Sequence, residues 1–370
     1  MHEIMIVAGE ASGDLHGGGV AEELHRLAPE RPLVGIGGTR MEAAGVTLLE
    51  RVERLAVMGF VEVIKHVPKH WALLRRLKAR LRSGQVGLVI VIDYPGFNMK
   101  LAAAAKEAGV PVLYYVTPQV WAWGAGRLPK LASLITKAAP ILPFEEALLR
   151  EHGIDATFVG HPLLDRAARM PSRAEARRQL GIDPNAPVLA LFPGSRAQEI
   201  ARHLDAFVAV GQEMQRRVPN LHVIVSVAST IDIDAARCPF PMVRGQSFPL
   251  LRAADAAMCK SGTTTLEAAV AGCPLVVAYR TSGWTYWIAR RVVKIPHIGL
   301  VNVVAGREVA REFVQGALEP RAVSDELERL LSPSSARRAE VERGLAEVRA
   351  KLGTPGAAGR VARLALEIAK

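Results

Sequence analysis

Short runs of apolar residues alternate with longer stretches of helical periodicity along most of the chain. The runs are nearly continuous in Val, Ile and Leu, a pattern typical of parallel strands that are covered on both faces. In the first half we predict strands at Ile4–Ala8, Leu33–Ile36, Leu88–Ile92, Val112–Val116, Ala139–Leu142 and Thr157–Val159, and helices near Val20–Leu27 and Lys100–Ala108. In the second half we predict strands at Val188–Phe192, Leu221–Val227, Ala256–Cys259 and Leu275–Tyr279, and helices at Ile200–Arg216 and Thr263–Ala271. This alternation predicts an α/β fold with doubly wound parallel sheets.

A polar, proline-containing stretch interrupts the alternation, and 370 residues are enough for two hydrophobic cores. We therefore predict an N-terminal domain over 1–165, a linker over 166–187, a second domain over 188–350 and a C-terminal helical segment over 351–370. Because ligands of open α/β sheets bind beyond the carboxyl ends of the strands, we expect the loops of the two sheets to face each other across a cleft.

Composition narrows the classes of partner. The formal net charge of +11 favours anionic partners: nucleic acid, phosphorylated metabolites or acidic lipid headgroups. Aromatic residues make up only 5% of the chain, too few for the stacking platforms of single-strand nucleic-acid binders, so we expect no nucleic-acid partner. Three cysteines without metal-type spacing fit a reducing cytosol. With no signal-peptide pattern and no apolar run of about 18 residues, we expect a cytoplasmic protein, either soluble or bound to a membrane surface.

The N-terminal stretch AGEASGDLHGGG is rich in glycine and follows the first predicted strand. A dinucleotide-binding loop requires G-x-G-x-x-G, but here the spacing differs and acidic residues lie among the glycines, where they would repel a pyrophosphate. We predict instead a loop that approaches a sugar, with hydrogen bonds from Ser12, Asp14 and His16. A tight turn with Asp14 as a helix cap is the alternative.

Polar residues follow several predicted strands of the first domain. Asp93 comes directly after the strand Leu88–Ile92, where a carboxylate can act as a general base. The alternative is an Asp that caps the helix beginning near Asn98. The candidate residues of the sugar or acceptor cleft are Glu10, Ser12, Asp14, His16, Asn98, Gln119 and Trp121.

The second domain offers features that suit an anion. Arg196 follows a strand just before a helix, and a later helix begins with Ser261, Gly262, Thr263 and Thr264. Free N–H groups and hydroxyls at a helix start bind diphosphates, and Glu267 further along could hold ribose hydroxyls. The alternative is Ser261 as a simple N-cap and Glu267 on the solvent face.

An Asp232-x-Asp234 pattern, which holds a metal–diphosphate in many sugar transferases, also occurs in the second domain. Since this pattern is common by chance, we predict no metal site.

The segment from Lys65 to Arg82 carries seven Lys or Arg and no acid. We predict a basic amphipathic helix on an anionic membrane surface. The alternative is a surface helix that packs its leucine stripe on the sheet. The predicted membrane-facing residues are Val67, Trp71, Leu74, Arg75, Arg76, Leu77, Lys78 and Leu81.

Eight segments, in order from residue 4 to about 316, resemble the lipid-A-disaccharide synthase family. They read AGEASGDLHGG, VIDYPGFN, VTPQVWAWGAGR, ILPFEE, FVGHPLLD, LFPGSRAQEI, SGTTTLEAAVAGCPLVVAYR and GLVNVVAGREV. The resemblance implies a GT-B glycosyltransferase with an acceptor-side N-terminal domain and a UDP-sugar-binding C-terminal domain. It also implies transfer of 2,3-diacylglucosamine from UDP-2,3-diacylglucosamine to 2,3-diacylglucosamine 1-phosphate, which gives a β-1,6-linked disaccharide 1-phosphate and UDP.

The same resemblance implies roles for single residues. Inversion at the donor carbon needs one base, so Asp93 would take the proton from the acceptor 6-hydroxyl. No metal or cofactor is required, so Arg196, the helix start at Ser261–Thr264 and Asn302 would offset the diphosphate charge, with Glu267 on the ribose. The acylated substrates imply a peripheral enzyme on the cytoplasmic face of the inner membrane.

Some points stay open. Ala310-Arg311 precede Glu312 where the family usually has Val-Pro, so roles beyond Arg307 are not carried over. By analogy with the fold, the last helix would cross back to the first domain, and since some relatives exchange C-terminal parts between protomers, a homodimer is possible. The rival interpretations are a UDP-N-acetylglucosamine 2-epimerase, the peptidoglycan N-acetylglucosaminyltransferase and a non-catalytic basic binding protein.

Overall fold

The computed structural model describes residues 2–54, 60–123, 125–229, 231–284, 286–287 and 296–370, with the backbone alone for 60–68, 123 and 125. The chain forms two compact units. The first unit comprises Met1–Pro162 and Gly353–Lys370, and the second comprises Leu163–Leu352.

The first unit is built on a parallel sheet of six strands in the order β3-β2-β1-β4-β5-β6. Its strands are β1 (Glu3–Ala8), β2 (Leu33–Gly37), β3 (Thr47–Arg51), β4 (Val86–Ile92), β5 (Val112–Tyr115) and β6 (Lys137–Ala139). Its helices are α1 (Ala11–Leu27), α2 (Thr39–Ala43), α3 (Phe60–Arg82), α4 (Pro95–Glu107), α5 (Val120–Trp123), α6 (Leu128–Leu134) and α7 (Pro143–Glu151), with the C-terminal helix α16 (Ala357–Ile368).

The second unit repeats this architecture with the order β12-β11-β10-β7-β8-β9, again all parallel. Its strands are β7 (Val188–Phe192), β8 (His222–Val227), β9 (Met242–Arg244), β10 (Ala256–Lys260), β11 (Leu275–Tyr279) and β12 (Glu312–Val314). Its helices are α8 (Leu163–Ala167), α9 (Arg173–Gln179), α10 (Ala197–Arg217), α11 (Ser247–Ala253), α12 (Thr264–Ala271), α13 (Leu300–Ala305), α14 (Pro320–Leu331) and α15 (Ala336–Lys351).

The burial of the central strands explains why runs of apolar residues predict them. Every residue of β4 and of β7 is buried, as expected for parallel strands with helices on both faces. The C-terminal helix α16 packs against α1 and so completes the cover of the first sheet. Because α1 follows β1 and α4 follows β4, right-handed crossovers place these two helices on opposite faces of that sheet.

Most predicted strands are present, and two of them, β7 and β11, have the predicted bounds. The expected strand at Thr157–Val159 is absent, since the chain there makes only an isolated bridge between Ala138 and Ala156. The strand expected at Ala139–Leu142 ends at Ala139, because Pro140 cannot donate to the ladder.

The predicted linker at 166–187 also differs from the structure. It contains α9, which packs against α11 within the second unit. The buried Arg177 guanidinium donates to the Ala253 carbonyl at 3.0 Å and to the Asp255 carboxylate at 3.0 Å. This stretch is therefore part of the second unit, and it is polar because it carries these ion pairs.

None of the helices in the described part of the chain is both long enough and apolar enough to cross a membrane.

Candidate functional site

Each sheet reverses its strand order at one point, between β1 and β4 in the first unit and between β7 and β10 in the second. Ligands of open α/β sheets bind at such points, beyond the carboxyl ends of the strands. In the first sheet Ala8 pairs with Ile92, so the segments that begin at Gly9 and at Asp93 leave the sheet side by side.

Asp93 lies in a strained turn that is held from the protein interior. Both Asp93 (φ 45°) and Tyr94 (φ 49°) adopt the left-handed conformation, which costs about 1–3 kcal/mol for each non-glycine residue. The buried Asn98 amide donates to the carbonyls of Ile92 (3.1 Å) and Asp93 (2.7 Å). The Tyr114 hydroxyl donates to the same Asp93 carbonyl at 2.8 Å. The main chain is thus fixed, and the Asp93 side chain is exposed at the edge of the sheet.

The helix after this turn excludes the simpler explanation for Asp93. Helix α4 begins at Pro95 and Tyr94 occupies its N-cap position, so Asp93 is not the helix cap. Burial, with a smaller contribution from the Asp93 carboxylate, raises the pKa of Tyr114, so its hydroxyl remains a donor. Asn98 does not face a ligand as predicted, because it is fully buried beneath the turn that carries Asp93.

The glycine-rich N-terminal stretch is helix from Ala11 onward, which corrects the predicted sugar-binding loop. Its glycines permit close packing. A Cβ on Gly9 would lie 2.1 Å from Cγ of Tyr94, and one on Gly17 would lie 2.6 Å from Sδ of Met41. Gly9 therefore lets the Tyr94 ring cover the start of α1.

Asp14 has a structural role, which corrects its assignment to the cleft. Its buried carboxylate accepts hydrogen bonds from three backbone N–H groups at the start of α2: Gly38 at 2.6 Å, Arg40 at 3.1 Å and Met41 at 3.1 Å. It thus fixes α2 and does not cap its own helix. A carboxylate surrounded by three donors is already satisfied, so we remove it from the predicted sugar contacts.

The other predicted residues on α1 lie toward the carboxyl edge. Glu10 and Ser12 are exposed, and half-buried His16 makes an edge-to-face contact with Tyr115 at a centroid distance of 5.9 Å. Burial, reinforced by the proximity of His16, lowers the pKa of His161 to about 3. His161 is therefore neutral at physiological pH.

Beyond β5 and β6 the structure adds a residue that the sequence analysis missed. Glu145 is buried on α7, accepts a 2.9 Å hydrogen bond from the Trp121 indole N–H and accepts another from the Leu142 N–H at 3.1 Å. Burial raises the pKa of Glu145 to about 7, although both hydrogen bonds favour the ionised form. The only sign of this in the sequence was that Glu145 lies three residues after Leu142, the N-cap residue of α7. The predicted Gln119 is exposed on the segment that leads to Trp121.

At the switch point of the second unit, Glu199 joins two loops. Its carboxylate accepts the Ser195 N–H at 2.9 Å and the Lys260 ammonium at 2.8 Å. Burial opposes its ionisation, but these two hydrogen bonds and the charges of Lys260 and Arg196 together outweigh burial and lower the pKa of Glu199. The predicted Arg196 is exposed next to this carboxylate, at the N-cap position of α10.

His203 connects the same helix to the end of β11 and was also missed. Its Nδ1 lies 2.8 Å from the Glu199 carbonyl oxygen, and its Nε2 accepts the Arg280 N–H at 2.9 Å. Burial lowers the pKa of His203, so the ring is neutral with its proton on Nδ1. The spacing of four residues from Glu199 on the buried face of α10 was the only signal in the sequence.

The structure has a helix start, that of α12, at the segment where we predicted an anion site. Thr264 is the first helical residue and Thr263 occupies the N-cap position. The Ser261 hydroxyl donates to the Ile298 carbonyl at 2.7 Å, so Ser261 is not a simple N-cap. Gly262 has φ 153°, a conformation that disfavours any side chain, and its carbonyl accepts the Thr265 hydroxyl.

Glu267 is buried and does not lie on the solvent face. It forms an ion pair with Arg166 of α8, at 3.2 Å between Nη1 and Oε1. The Arg166 guanidinium in turn lies 4.8 Å from the centroid of the Phe248 ring. The carboxylate of Glu267 is thus oriented by the Arg166 cation on the neighbouring helix α8.

Asn302 was expected to offset diphosphate charge, and the structure corrects this. Asn302 is fully buried. Its Nδ2 donates to the Ala310 carbonyl at 2.7 Å and to the Glu312 carboxylate at 2.9 Å. Its Oδ1 accepts the backbone N–H groups of Val309 and Ala310. These bonds satisfy the whole amide, so it holds its own loop. Glu312, for which the family pattern gave no role, accepts the Gly299 N–H at 2.8 Å at the start of α13.

Helix α3 divides into two faces. Leu74, Leu77 and Leu81 are buried in the core of the first unit, which corrects their assignment to a membrane and matches the alternative of a stripe packed on the sheet. Trp71 is 55% exposed, Arg75 and Arg76 are exposed, and Lys78 is half-buried. The side chain of Val67 lies outside the described residues.

Asp232 and Asp234 have separate partners within the protein. Asp232 pairs with the Arg244 guanidinium, and Asp234 caps a short turn by accepting the Ala236 N–H at 2.9 Å. Within the described ranges, no group of three His, Cys, Asp or Glu is arranged to hold a metal ion.

Two doubly wound parallel sheets of six strands with the same strand order are the architecture of the GT-B fold. Among solved structures, the glycotransferase of kitacinnamycin matches with a TM-score of 0.67 at 16% identity, over 100% of this chain and 99% of that chain. The UDP-GlcNAc 2-epimerase from Neisseria meningitidis bound to UDP-GlcNAc matches with a TM-score of 0.65 at 12% identity, over 99% and 98%. At these identities the similarity shows the fold alone.

The sequence comparisons identify the family. The family model described as lipid-A-disaccharide synthetase matches residues 4–355. The lipid-A-disaccharide synthase of Trichlorobacter lovleyi is 41% identical over 372 residues, which cover 99% of this chain and 97% of that protein. The chain belongs to the lipid-A-disaccharide synthetase family and is a glycosyltransferase of lipid A biosynthesis. This result excludes the epimerase and the non-catalytic alternatives.

Proposed function

We propose that the enzyme transfers 2,3-diacylglucosamine from UDP-2,3-diacylglucosamine to the 6-hydroxyl of 2,3-diacylglucosamine 1-phosphate, with inversion at the donor carbon. The observation that carries this proposal is the Asp93 turn, in which two buried side chains hold the main chain of an exposed carboxylate. Such preorganisation is what a general base requires, since the base must lie within hydrogen-bond reach of the proton it takes.

In this mechanism the Asp93 carboxylate accepts the proton of the 6-hydroxyl as the hydroxyl oxygen attacks C1 of the donor sugar. The new C1–O bond forms on one face while the C1–O bond to the diphosphate breaks on the other. UDP leaves with the electron pair of that bond. A single displacement of this kind converts an α-linked donor into a β-linked product.

The second unit is proposed to bind the UDP portion. Arg196 and the start of α12 supply a cation, N–H groups and hydroxyls for the diphosphate. Glu267, oriented by Arg166, is the candidate acceptor for ribose hydroxyls. These groups offset the leaving-group charge without a metal ion.

The acyl chains of both substrates suggest that the enzyme works at the cytoplasmic surface of the inner membrane. The outer face of α3, with exposed Trp71, Arg75 and Arg76 and half-buried Lys78, supports contact with anionic headgroups. Tryptophan is favoured at the boundary between headgroups and acyl chains because one end of its ring is apolar and the other is polar.

The experiment is UDP release from the two acylated substrates in the presence of EDTA, with wild type, Asp93→Asn and Asp205→Asn. Asp205 is an exposed carboxylate paired with Arg237 and serves as the matched control. We expect rapid release by wild type and D205N, and a loss of about a hundredfold or more in D93N with an unchanged thermal midpoint.

Four results would contradict the proposal. Full activity of D93N would exclude Asp93 as the base. A requirement for a divalent metal would contradict metal-independent departure of UDP and would make Asp232 and Asp234 candidate metal ligands. Turnover of UDP-N-acetylglucosamine with no requirement for an acylated donor would exclude the proposed substrates, and an α-configured product in NMR would exclude inversion.

A further inference from the structure

Lys260 is a cation at the switch point of the second unit that the sequence analysis did not assign to the nucleotide site. It is the last residue of β10, and the pairing of Cys259 with Phe192 places it level with the first residue after β7. Its side chain is only 19% exposed, and its ammonium is 2.8 Å from the Glu199 carboxylate. An ammonium in this position is held in place before any ligand arrives.

Glu199 positions this ammonium relative to the loop after β7. Its second oxygen accepts the Ser195 N–H, and Gly194 adopts φ 141° with Glu199 directly against it, since a Cβ there would lie 2.5 Å from Cβ of Glu199. The lowered pKa of Glu199 keeps it ionised at neutral pH, so Lys260 always has its counter-ion.

The ammonium also lies close to the loop that precedes α12. A Cβ built on Gly262 would be 3.7 Å from the Lys260 Nζ. The charge is therefore adjacent to both segments proposed to receive the diphosphate, the one at Gly194–Arg196 and the one at Ser261–Thr264. An ammonium has three N–H donors and Glu199 accepts one of them, which leaves capacity for a phosphate oxygen.

We propose that Lys260 binds the diphosphate of the sugar-nucleotide donor, with Glu199 as the counter-ion that orients it. This inference rests on the proposed function of the second unit and adds a residue to it. Lysine is an established point-charge ligand of phosphate, whereas Arg196 offers a planar fork, so the two cations hold different oxygens. A purely structural Lys260–Glu199 pair is the competing explanation.

The experiment is calorimetric binding of UDP and of uridine to wild type, Lys260→Met, Lys260→Arg and Lys137→Met. Lys137, on β6 of the first unit, is the matched control because its side chain is as little exposed as that of Lys260 and its ammonium also pairs with a carboxylate, that of Asp155. We expect K260M to weaken UDP binding about tenfold or more and to leave uridine binding unchanged, since uridine lacks the diphosphate. K260R should recover much of the UDP affinity, and K137M should bind both ligands as wild type does.

The outcomes separate this inference from the function on which it rests. If wild type binds neither ligand, the donor assignment to the second unit fails and this inference fails with it. If wild type binds UDP and K260M binds it equally well, the proposed function stands and the role of Lys260 is structural. An equal loss of UDP and uridine affinity in K260M would also overturn the inference, because it would indicate a displaced loop. If K260M does not fold, Lys260→Gln takes its place, because it also removes the positive charge. Weakened UDP binding with unchanged uridine binding would then support the contact, and unchanged affinity for both ligands would overturn it.

Discussion

The side-chain amide of Asn98 donates to the backbone carbonyl of Asp93 at 2.7 Å. Asn98 is fully buried and Asp93 is exposed, so an interior residue sets the direction in which a surface carboxylate leaves the sheet. The bond also offsets the strain of two consecutive left-handed residues, Asp93 and Tyr94. Positioning of the proposed base thus depends on a side chain that touches no ligand.

Replacement of Asn98 by alanine should therefore reduce both stability and turnover. The substitution removes one donor each from the carbonyls of Ile92 and Asp93 and leaves only the Tyr114 hydroxyl as a side-chain donor to Asp93, so the free energy of unfolding should fall by about 1–3 kcal/mol. We expect kcat to fall more than KM changes, because the substrate-binding residues are intact while the base is misplaced. Urea denaturation and the UDP-release assay measure the two effects.

Tyr114→Phe is the control for this prediction. It removes one donor to the Asp93 carbonyl and leaves the Asn98 bond, so its effect should be smaller, about 1 kcal/mol in stability. An Asn98→Ala variant with wild-type kcat would show that the turn keeps its conformation without the amide.

Gly9, which precedes α1, and Gly19, which lies inside it, should respond to alanine in opposite ways. Gly9→Ala places a methyl group 2.1 Å from the Tyr94 ring and must displace it, and Asp93 moves with its neighbour. We expect a loss of roughly 1–3 kcal/mol in stability together with reduced UDP release. A Cβ built on Gly19, inside α1, would make only an ordinary 3.4 Å contact with Cβ of Ala358.

Gly19→Ala should therefore be neutral or stabilising by up to about 1 kcal/mol, because alanine favours the helix. Thermal unfolding of the two variants and the wild type tests the pair. Equal destabilisation by both substitutions would contradict a specific contact between Gly9 and Tyr94.

The parts of the fold that could be predicted are those that depend on local apolar runs. Buried strands such as β4 and β7 are continuous apolar segments, and the position of Asp93 follows from where β4 ends. The edge strands β3, β9 and β12 were missed because they are short and partly exposed, so they lack such runs.

Side-chain roles were harder to predict because their partners are distant in the sequence. Asp14 binds the N–H of Gly38, and nothing in the pattern around Asp14 indicates that α2 begins beside it. Asn302 likewise donates to Glu312, and nothing in the pattern around Asn302 indicates that partner. A leucine stripe such as that of α3 fits a core and a membrane equally well, and only packing distinguishes the two.

Binding to anionic vesicles should depend on the exposed face of α3. The double reversal Arg75→Glu/Arg76→Glu should lower binding to phosphatidylglycerol vesicles at least about tenfold, since each basic residue near the surface contributes about 1 kcal/mol. Binding to neutral phosphatidylcholine vesicles should change little. Trp71→Ala, which removes the exposed ring, should weaken binding to both kinds of vesicle.

Arg343→Glu/Arg349→Glu on α15 is the control, because it makes the same change in net charge at exposed positions of the second unit. Cosedimentation measures all four proteins. Equal loss in the two double variants would indicate that net charge alone governs binding.

Leu77→Ala, on the buried face of the same helix α3, should instead cost about 2–5 kcal/mol of stability, as a core truncation does.

The buried Glu145 should make stability depend on pH in a particular direction. Its pKa is raised by burial to about 7 from an ordinary value of 4.5. Between these two values the folded protein keeps a proton that the unfolded chain releases, so the free energy of unfolding falls as pH rises through this window. The full effect, reached above pH 7, is about 3 kcal/mol.

Glu145→Gln isolates this contribution, because all other titrating groups are shared with the wild type. Glutamine can still accept from the Trp121 N–H, and its weaker bond to Leu142 is a constant that cancels between pH values. We expect the stability of wild type relative to E145Q to be about 2.5 kcal/mol lower at pH 8 than at pH 5, measured by urea denaturation. A difference that stays constant across this range would mean that Glu145 titrates near its ordinary pKa and that water or a cation reaches its carboxylate.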